Sequence, residues 1–481
     1  MTNRYVILVP LLLACVVHLV NPVGFPDISF DEGIYMRRAM NMLDTGNPQE
    51  GYLYDHPYFG QIVLAGVLHA TGYPHNEMAS DPASLQNLYL IPRLFMGMVA
   101  VLSTFLLYHI AREWFDRTIA LVSSVLFAVT PYAWVLDRIL LDSLFLPFLL
   151  ASILLAIRFT RTGSAMWLAP ASGILLGIAI FTKVPAFAFI PLLAWLIFQK
   201  RKRYTDIFAC VIPILLIPLI WPANSMVLGQ FDMWLDGVMW QGQRSSSILE
   251  TVEYFLKIDP VLFVIGMAGV AYSVIVRNKF VLFWFIPFIA FLSLVGFKQY
   301  FHWIPLVPIL CICASMCMLN VGKRIKYSWI KTVRGVIVVS ILVFGLTSTL
   351  LVTTNDISYN QFEALSYVLE NHNDIDTILA GPQYSWILYD VYGIDNVPLD
   401  YTAVLFYPVE TRNVTVIADS HFMVDISRGP ELFQAYHNTD SVMYFEGRVA
   451  DFNNTVYPYT GMAASHDAYN IDIRKGMWNK P

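Results

Sequence analysis

Long apolar runs separated by short charged clusters fill the chain up to about residue 352. About 20 residues at 1.5 Å each match the ~30 Å hydrocarbon core of a bilayer. The runs predict about eleven spans, near 4–24, 92–112, 118–136, 140–158, 165–182, 185–199, 206–228, 259–277, 279–297, 302–320 and 335–352. The first reads as an uncleaved span, because no small-x-small cleavage site precedes Asn21-Pro22. Residues 57–73 are apolar but short and contain Gln61 and His69, which predicts an interfacial or re-entrant helix. Just after the first run, Met36, Met40 and Leu43 recur at i, i+4 and i+7, with Arg37 and Arg38 on other faces. That pattern predicts a helix lying along the membrane surface, opening at Asp31-Glu32. Gln230–Asp259 reads as a long loop rich in Trp, Gln and Arg. Beyond residue 353, apolar runs at Thr377–Ala380 and Val414–Ala418 alternate with helical patterns at Tyr359–Asn371 and Gly429–His437. The expected architecture is therefore a polytopic α-helical membrane domain, 1–352, followed by a small α/β or α+β domain, 353–481.

Charge adds an orientation. Arg112 and Arg117, Arg158 and Arg161, Lys200–Arg203, Arg277 and Lys279, and the cluster from Lys323 to Arg334 fall in alternate loops. By the positive-inside rule those loops and the N-terminus are cytoplasmic. An odd number of spans then places the tail outside, together with Asp31, Glu32, Arg138, Lys183, Arg244, Lys257, Lys298 and His302. Two glycosylation-type triplets, Asn413-Val-Thr415 and Asn453-Asn-Thr455, agree with that side. Composition supports a membrane protein: 57% hydrophobic and 14% charged, against roughly 25% charged in soluble domains. The net charge of −5 offers no nucleic-acid footprint. The five cysteines lie in apolar segments without disulfide or zinc spacing.

Charges at membrane edges are costly and mark functional sites. Those predicted on the outer face each have a plain structural alternative. Asp31 and Glu32 begin a helix, where Ser29 and Glu32 fit a capping box. Arg138 suits an anionic headgroup or an i, i+4 ion pair with Asp142. Lys183, outside and therefore against the charge rule, suits a phosphate or a snorkelling position. His56, in Asp55-His56-Pro57, binds a ligand or packs. Arg93 opens a span and suits an acid partner. Trp234, Trp240, Gln241, Gln243 and Arg244, and the Lys298–Trp303 run with His302, suit sugar recognition or an interfacial aromatic belt.

Taken together, Asp31-Glu32-x-x-Tyr35, His56-Pro57, Arg93, Arg138-x-Leu-Leu-Asp142 and Gly177-x-x-x-x-Thr182-Lys183-x-Pro185 resemble the GT-C membrane glycosyltransferases that use polyprenyl-phosphate sugars. Within that group they resemble the dolichyl-phosphate-mannose protein mannosyltransferases and the lipid A aminoarabinose transferases. The likeness covers roughly residues 1–200. It implies that Asp31 is the catalytic base, with Glu32 capping its helix or orienting it, and that Lys183 and Arg138 hold the lipid phosphate. Tyr35, His56, Arg93, Asp142, Arg244 and His302 are further site candidates. Two features depart from the pattern: His56-Pro57-Tyr58 replaces His-Pro-Pro, and the Trp-Trp-Asp signature of oligosaccharyltransferases is absent. The implied reaction is inverting transfer of a sugar from a polyprenyl phosphate to a hydroxyl of a protein, lipid or glycan. No cofactor is expected, although Asp31, Glu32 and Asp142 could ligate a divalent metal. The rival readings are a lipid or sugar transporter or flippase, which would favour two related halves with interrupted helices, and a non-catalytic outer-face receptor.

Overall fold

The computed structural model describes residues 4–49, 54–73, 79–162, 167–201, 204–244, 246–320, 328–374, 376–405, 412–447 and 470–478. Helices dominate it. Five are long and apolar enough to cross a membrane: Pro82–Trp114, Leu141–Arg161, Tyr204–Val227, Tyr300–Asn320 and Lys331–Thr353. Two bent pairs, Arg117–Val129 with Pro131–Asp137 and Ile248–Ile258 with Pro260–Ile275, bring the number to seven. The protein is therefore a polytopic membrane protein, but the expected eleven spans are not reached by length. Four expected spans fall on the shorter apolar helices Tyr5–His18, Leu168–Thr182, Val184–Gln199 and Lys279–Leu294. The sequence runs had included apolar residues that leave the helix. In the first run, for example, the helix ends at His18 rather than near residue 24.

Backbone contact explains how these helices pack. A Cβ on Gly173 would collide with the Cys210 backbone, so Leu168–Thr182 and Tyr204–Leu216 meet where glycine lets them approach. Leu141–Thr162 and Leu168–Thr182 exchange two bonds: Ser152 Oγ donates to the Ser172 carbonyl at 2.7 Å, and Ser172 Oγ to the Ser152 carbonyl at 2.8 Å. Such reciprocal bonds pair helices where lipid offers no water.

The helices expected at Asp31 and over 57–73 form as Phe30–Thr45 and Phe59–Ala70. The Gln230–Asp259 stretch is not a loop. It folds into Phe231–Gln243 and Ile248–Ile258, the second burying Thr251, Phe255 and Ile258 at i, i+4 and i+7. Its Trp and Gln content hid that stripe.

In the tail, strands β1 (Thr377–Leu379), β2 (Arg412–Ala418), β3 (Thr439–Phe445) and β4 (Ile471–Trp478) form one sheet in the order β1-β2-β4-β3. β1 pairs with β2 in parallel; the other pairs are antiparallel. The core does not stop at the membrane helices. Phe362, Leu365, Tyr384 and Trp386 belong to the same buried cluster as Tyr35, Met36 and Leu88. Asn413-Val-Thr415 lies within β2 with Thr415 buried, while Asn453 falls outside the described residues.

Candidate active site

The helix Phe30–Thr45 begins after Ser29, whose extended backbone (φ −105°, ψ 159°) suits an N-cap, and it ends at Gly46 with φ 71°, the left-handed geometry glycine tolerates. Glu32 accepts the Ser29 N–H at 2.9 Å, the return bond of a capping box. It does much more than cap. Its carboxylate also accepts Arg93 Nε at 3.1 Å, Arg93 Nη2 at 2.9 Å and the Ile139 N–H at 3.0 Å, with Arg138 Nη1 at 3.4 Å. Arg93 completes its own set on the carbonyls of Pro22, Pro26 and Asp27. Burial pushes the Glu32 pKa up, but the two guanidiniums and their hydrogen bonds outweigh it and hold the carboxyl below its ordinary range. Glu32 is thus the tie between the first loop, the helix Pro82–Trp114 and the Arg138–Leu140 junction.

Asp31 is adjacent in sequence and opposite in circumstance. It is half-buried and makes no hydrogen bond or ion pair among the described residues. Burial raises its pKa above the ordinary value, while Lys183, His421 and Arg244 pull down and Asp55 pushes up. The other carboxylates nearby are engaged. Asp27 pairs with Arg138, Asp55 with Arg38 at 2.7 Å, and Asp142 with Lys183.

The cations are arranged accordingly. Arg138 does not pair with Asp142 as the i, i+4 spacing suggested, because the helix Leu141–Thr162 starts only after it. Its guanidinium turns instead to Asp27 and Glu32 and covers the Trp134 ring at 5.2 Å. Lys183, in extended backbone between Leu168–Thr182 and the turn Val184–Phe189, pairs with Asp142 and sits 5.1 Å above the Phe301 ring. Arg244 lies between the rings of Trp240, at 4.7 Å, and Phe297, at 3.4 Å, and no carboxylate pairs with it among the described residues. Its loop is tied to the next by the Ser246 N–H on Gly296 O at 2.8 Å and the Lys298 N–H on Ser246 Oγ at 2.6 Å.

Uncharged groups complete the site. Tyr35 lies one turn after Asp31, with its ring 6.4 Å from His56. Burial drives the His56 pKa down to about 3, against the opposing pull of Asp55. His302 accepts the Gln299 N–H on Nδ1 at 2.8 Å. Among the described residues no three His, Cys, Asp or Glu side chains stand as a metal-holding group.

The tail supplies a wall that the sequence did not suggest. The short helix Pro382–Trp386 lies directly on Phe30–Thr45, where a Cβ on Gly33 would fall inside the Pro382–Gln383 peptide. Gln361 brackets Ile28, accepting its N–H at 2.8 Å and donating to its carbonyl at 3.0 Å. Trp386 Nε1 donates to Tyr89 Oη at 3.0 Å, and Gln383 Nε2 to Asp419 at 2.5 Å. Asp419 caps the helix Ser420–Asp425, which brings the His421 ring within 5.6 Å of Phe30, next to Asp31. No motif announced Asp27, Arg38, Gln383 or His421; each is brought in by long-range packing.

Residues 89–223 match the family model for dolichyl-phosphate-mannose-protein mannosyltransferase. No curated protein matches the chain by sequence. The structure is similar to that of ArnT from Cupriavidus metallidurans bound to undecaprenyl phosphate, with a TM-score of 0.59, 14% identity and full coverage of both chains. It is also similar to the Archaeoglobus fulgidus oligosaccharyltransferase AglB in complex with an inhibitory peptide and a dolichol-phosphate, with a TM-score of 0.59, 12% identity, and 91% of this chain and 72% of that one covered. The fold is that of the GT-C membrane glycosyltransferases, as the resemblance implied.

Proposed function

We propose that this protein transfers a sugar from a polyprenyl phosphate to an acceptor hydroxyl, with inversion at the sugar carbon. One observation carries the reading: Asp31 is the unpaired carboxylate in a cluster whose other acids are ion-paired, and it lies in the field of Lys183 and Arg244. A base must accept a proton, and a carboxylate already held by two guanidiniums is a poor one. Asp31 is therefore the base and Glu32 a positioning residue that fixes the first turn carrying it. The acceptor oxygen attacks the anomeric carbon and its proton passes to Asp31. The bond from that carbon to the phosphate oxygen breaks, and its electron pair leaves on the phosphate. Lys183 and Arg244 offset the charge that develops there. Arg138, engaged with Asp27 and Glu32, supports the site from behind. The alternation of basic loops supports placing this face and the tail outside the cytoplasm. The lipid chain lies among the membrane helices, and the acceptor is a protein, lipid or glycan hydroxyl.

Release of free polyprenyl phosphate from a panel of polyprenyl-phosphate sugars, by the purified protein in lipid, tests this. Asp31→Asn is expected to lower turnover by ~10²–10⁴-fold with the fold intact. In the wild type the acid limb of kcat/KM should have its midpoint above the ordinary aspartate value of about 4, because the base works ionised and burial raises its pKa. Wild-type turnover by Asp31→Asn would remove the assignment.

A further inference from the structure

His18 ends the helix Leu8–His18 and meets Asp137, 119 positions away, with Nδ1 at 2.6 Å from Oδ1. The two side chains are 0% and 8% exposed. Asp137 closes the turn Pro131–Asp137, and the two residues after it are the ones that hold the first loop. Arg138 Nη1 donates to the Asp27 carbonyl at 2.8 Å, and the Ile139 N–H to Glu32 at 3.0 Å. The other end of the turn is anchored separately, by Thr130 on Asp259 and Tyr132 on the Tyr300 carbonyl. His18 has a fixed seat of its own. A Cβ on Gly97 would stand 2.3 Å from the His18 carbonyl, so this helix end is pressed onto Pro82–Trp114, one turn beyond Arg93. The surroundings also set the state of the ring. His18 Nε2 is enclosed and has no hydrogen-bond partner among the described residues. A proton there would bury an N–H without an acceptor, which is rarer and costlier than a bare lone pair. The single proton is therefore on Nδ1, and Asp137 receives a directed bond from a neutral ring rather than a counter-charge.

We infer that His18 is a positioning residue for the transfer step: its bond to Asp137 fixes the turn that aims Arg138 and Ile139 at the first loop, and through Glu32 it sets where Asp31 stands. The inference rests on Asp31 as the base and extends that reading to a second layer of residues. His18 is too deeply buried to touch a substrate, so its effect falls on the chemical step and not on donor affinity. Misplacing a reacting group by about 1 Å costs on the order of 10²-fold in rate. Arg93 and His18 thus hold the first loop from two sides, Arg93 on its carbonyls and Glu32, His18 on the turn that meets Glu32 from across.

The test uses the full chain in lipid nanodiscs and the polyprenyl-phosphate sugar that the wild type turns over. His18→Leu should lower kcat roughly tenfold to a hundredfold and leave KM nearly unchanged. His18→Asn places an amide nitrogen two bonds from Cβ, as Nδ1 is, and cannot be charged; it should restore most of kcat. His18→Gln sets its nitrogen one carbon farther out and should not. Asp137→Leu should cost as much as His18→Leu, and the double variant no more than either, because the two act as one unit. Hydrogen exchange at the Ile139 amide should quicken in His18→Leu and return towards the wild type in His18→Asn, a readout that needs no donor. Wild-type kcat in His18→Leu, a loss that falls on KM, unchanged exchange at Ile139, or an Asn variant no better than the Gln one overturns the inference and leaves the donor reading standing. If His18→Leu does not fold, the Asn and Gln variants decide by the same comparison. No turnover of any polyprenyl-phosphate sugar by the folded wild type overturns the donor reading, and this inference with it.

Discussion

Along the helix Pro82–Trp114, two ion pairs lie about 30 Å apart at 1.5 Å per residue. A third of the way along it, Arg93 is 0% exposed, its five hydrogen bonds all made to Glu32 and to carbonyls of the first loop. Near its end Glu113 meets Arg158 at 2.9 Å, but the Arg158 side chain is 42% exposed. Around the first pair cluster the Arg138–Asp27, Arg38–Asp55 and Lys183–Asp142 pairs; around the second are stacked rings, Trp114 on Phe280 and Trp195 on Phe283. The two ends draw on the same residue types. What separates them is water. At the first, each charge depends on its partner, so the pairs fix geometry and leave Asp31 without a partner among the described residues. At the second, solvent can replace either partner and aromatic packing holds the helices.

The largest effect expected from this contrast is at Arg93. Arg93→Leu strands Glu32 without its main counter-ion and removes the ties to Pro22, Pro26 and Asp27. Breaking one partner of a buried pair costs about 3–5 kcal/mol, read as a lower thermal or denaturant midpoint in lipid. Pairing it with Glu32→Met should recover part of that loss, since no buried charge then remains. If Arg93→Leu melts with the wild type, the two ends do not differ as described.

A smaller effect is expected where the tail meets the helix Phe30–Thr45. Gly33→Ala forces the Phe30–Thr45 and Pro382–Trp386 helices apart, because the new methyl meets backbone rather than a flexible side chain. Overpacking of this kind costs roughly 1–3 kcal/mol. Hydrogen exchange should show faster opening of Pro382–Trp386 and of Ile28, with the helix Leu141–Thr162 unchanged. Equal protection across the variant would mean that the tail is not held through this contact.

Local pattern made the membrane helices, the Asp31 helix and the strands β1 and β2 legible, because each is written in a period of 3.6 or 2 within one segment. β3 and β4 were not legible. Asp440, Ser441, Arg474 and Lys475 break the alternation, and the sheet is closed by residues 26 to 37 positions apart, from Phe445–Ile471 to Thr439–Gly476. The candidate site divides in the same way. Asp31, Lys183 and Arg244 stood out as charges at membrane edges. The identity of each partner did not: Arg138 was matched to Asp142 by spacing, whereas three-dimensional packing gives it Asp27 and Glu32, and Asp142 goes to Lys183. The two halves of a neighbouring pair, Asp31 and Glu32, are separated only by which face of one turn meets Arg93.

The smallest effect tests the other end of the comparison. Arg158→Leu removes the Glu113 pair from a position where Glu113 keeps access to water, so its carboxylate can be rehydrated as the arginine goes. Exposed pairs of this kind contribute about 0–1 kcal/mol, and they weaken further at high salt. The expected midpoint therefore lies close to that of the wild type, with the small difference shrinking as salt rises, while the Arg93→Leu deficit persists because its field is not screened by mobile ions. A loss at Arg158 as large as that at Arg93, and insensitive to salt, would show that this end is also organised by buried charge. The partial exposure of both side chains argues against that, and the neighbouring Trp114 is held by stacking on Phe280.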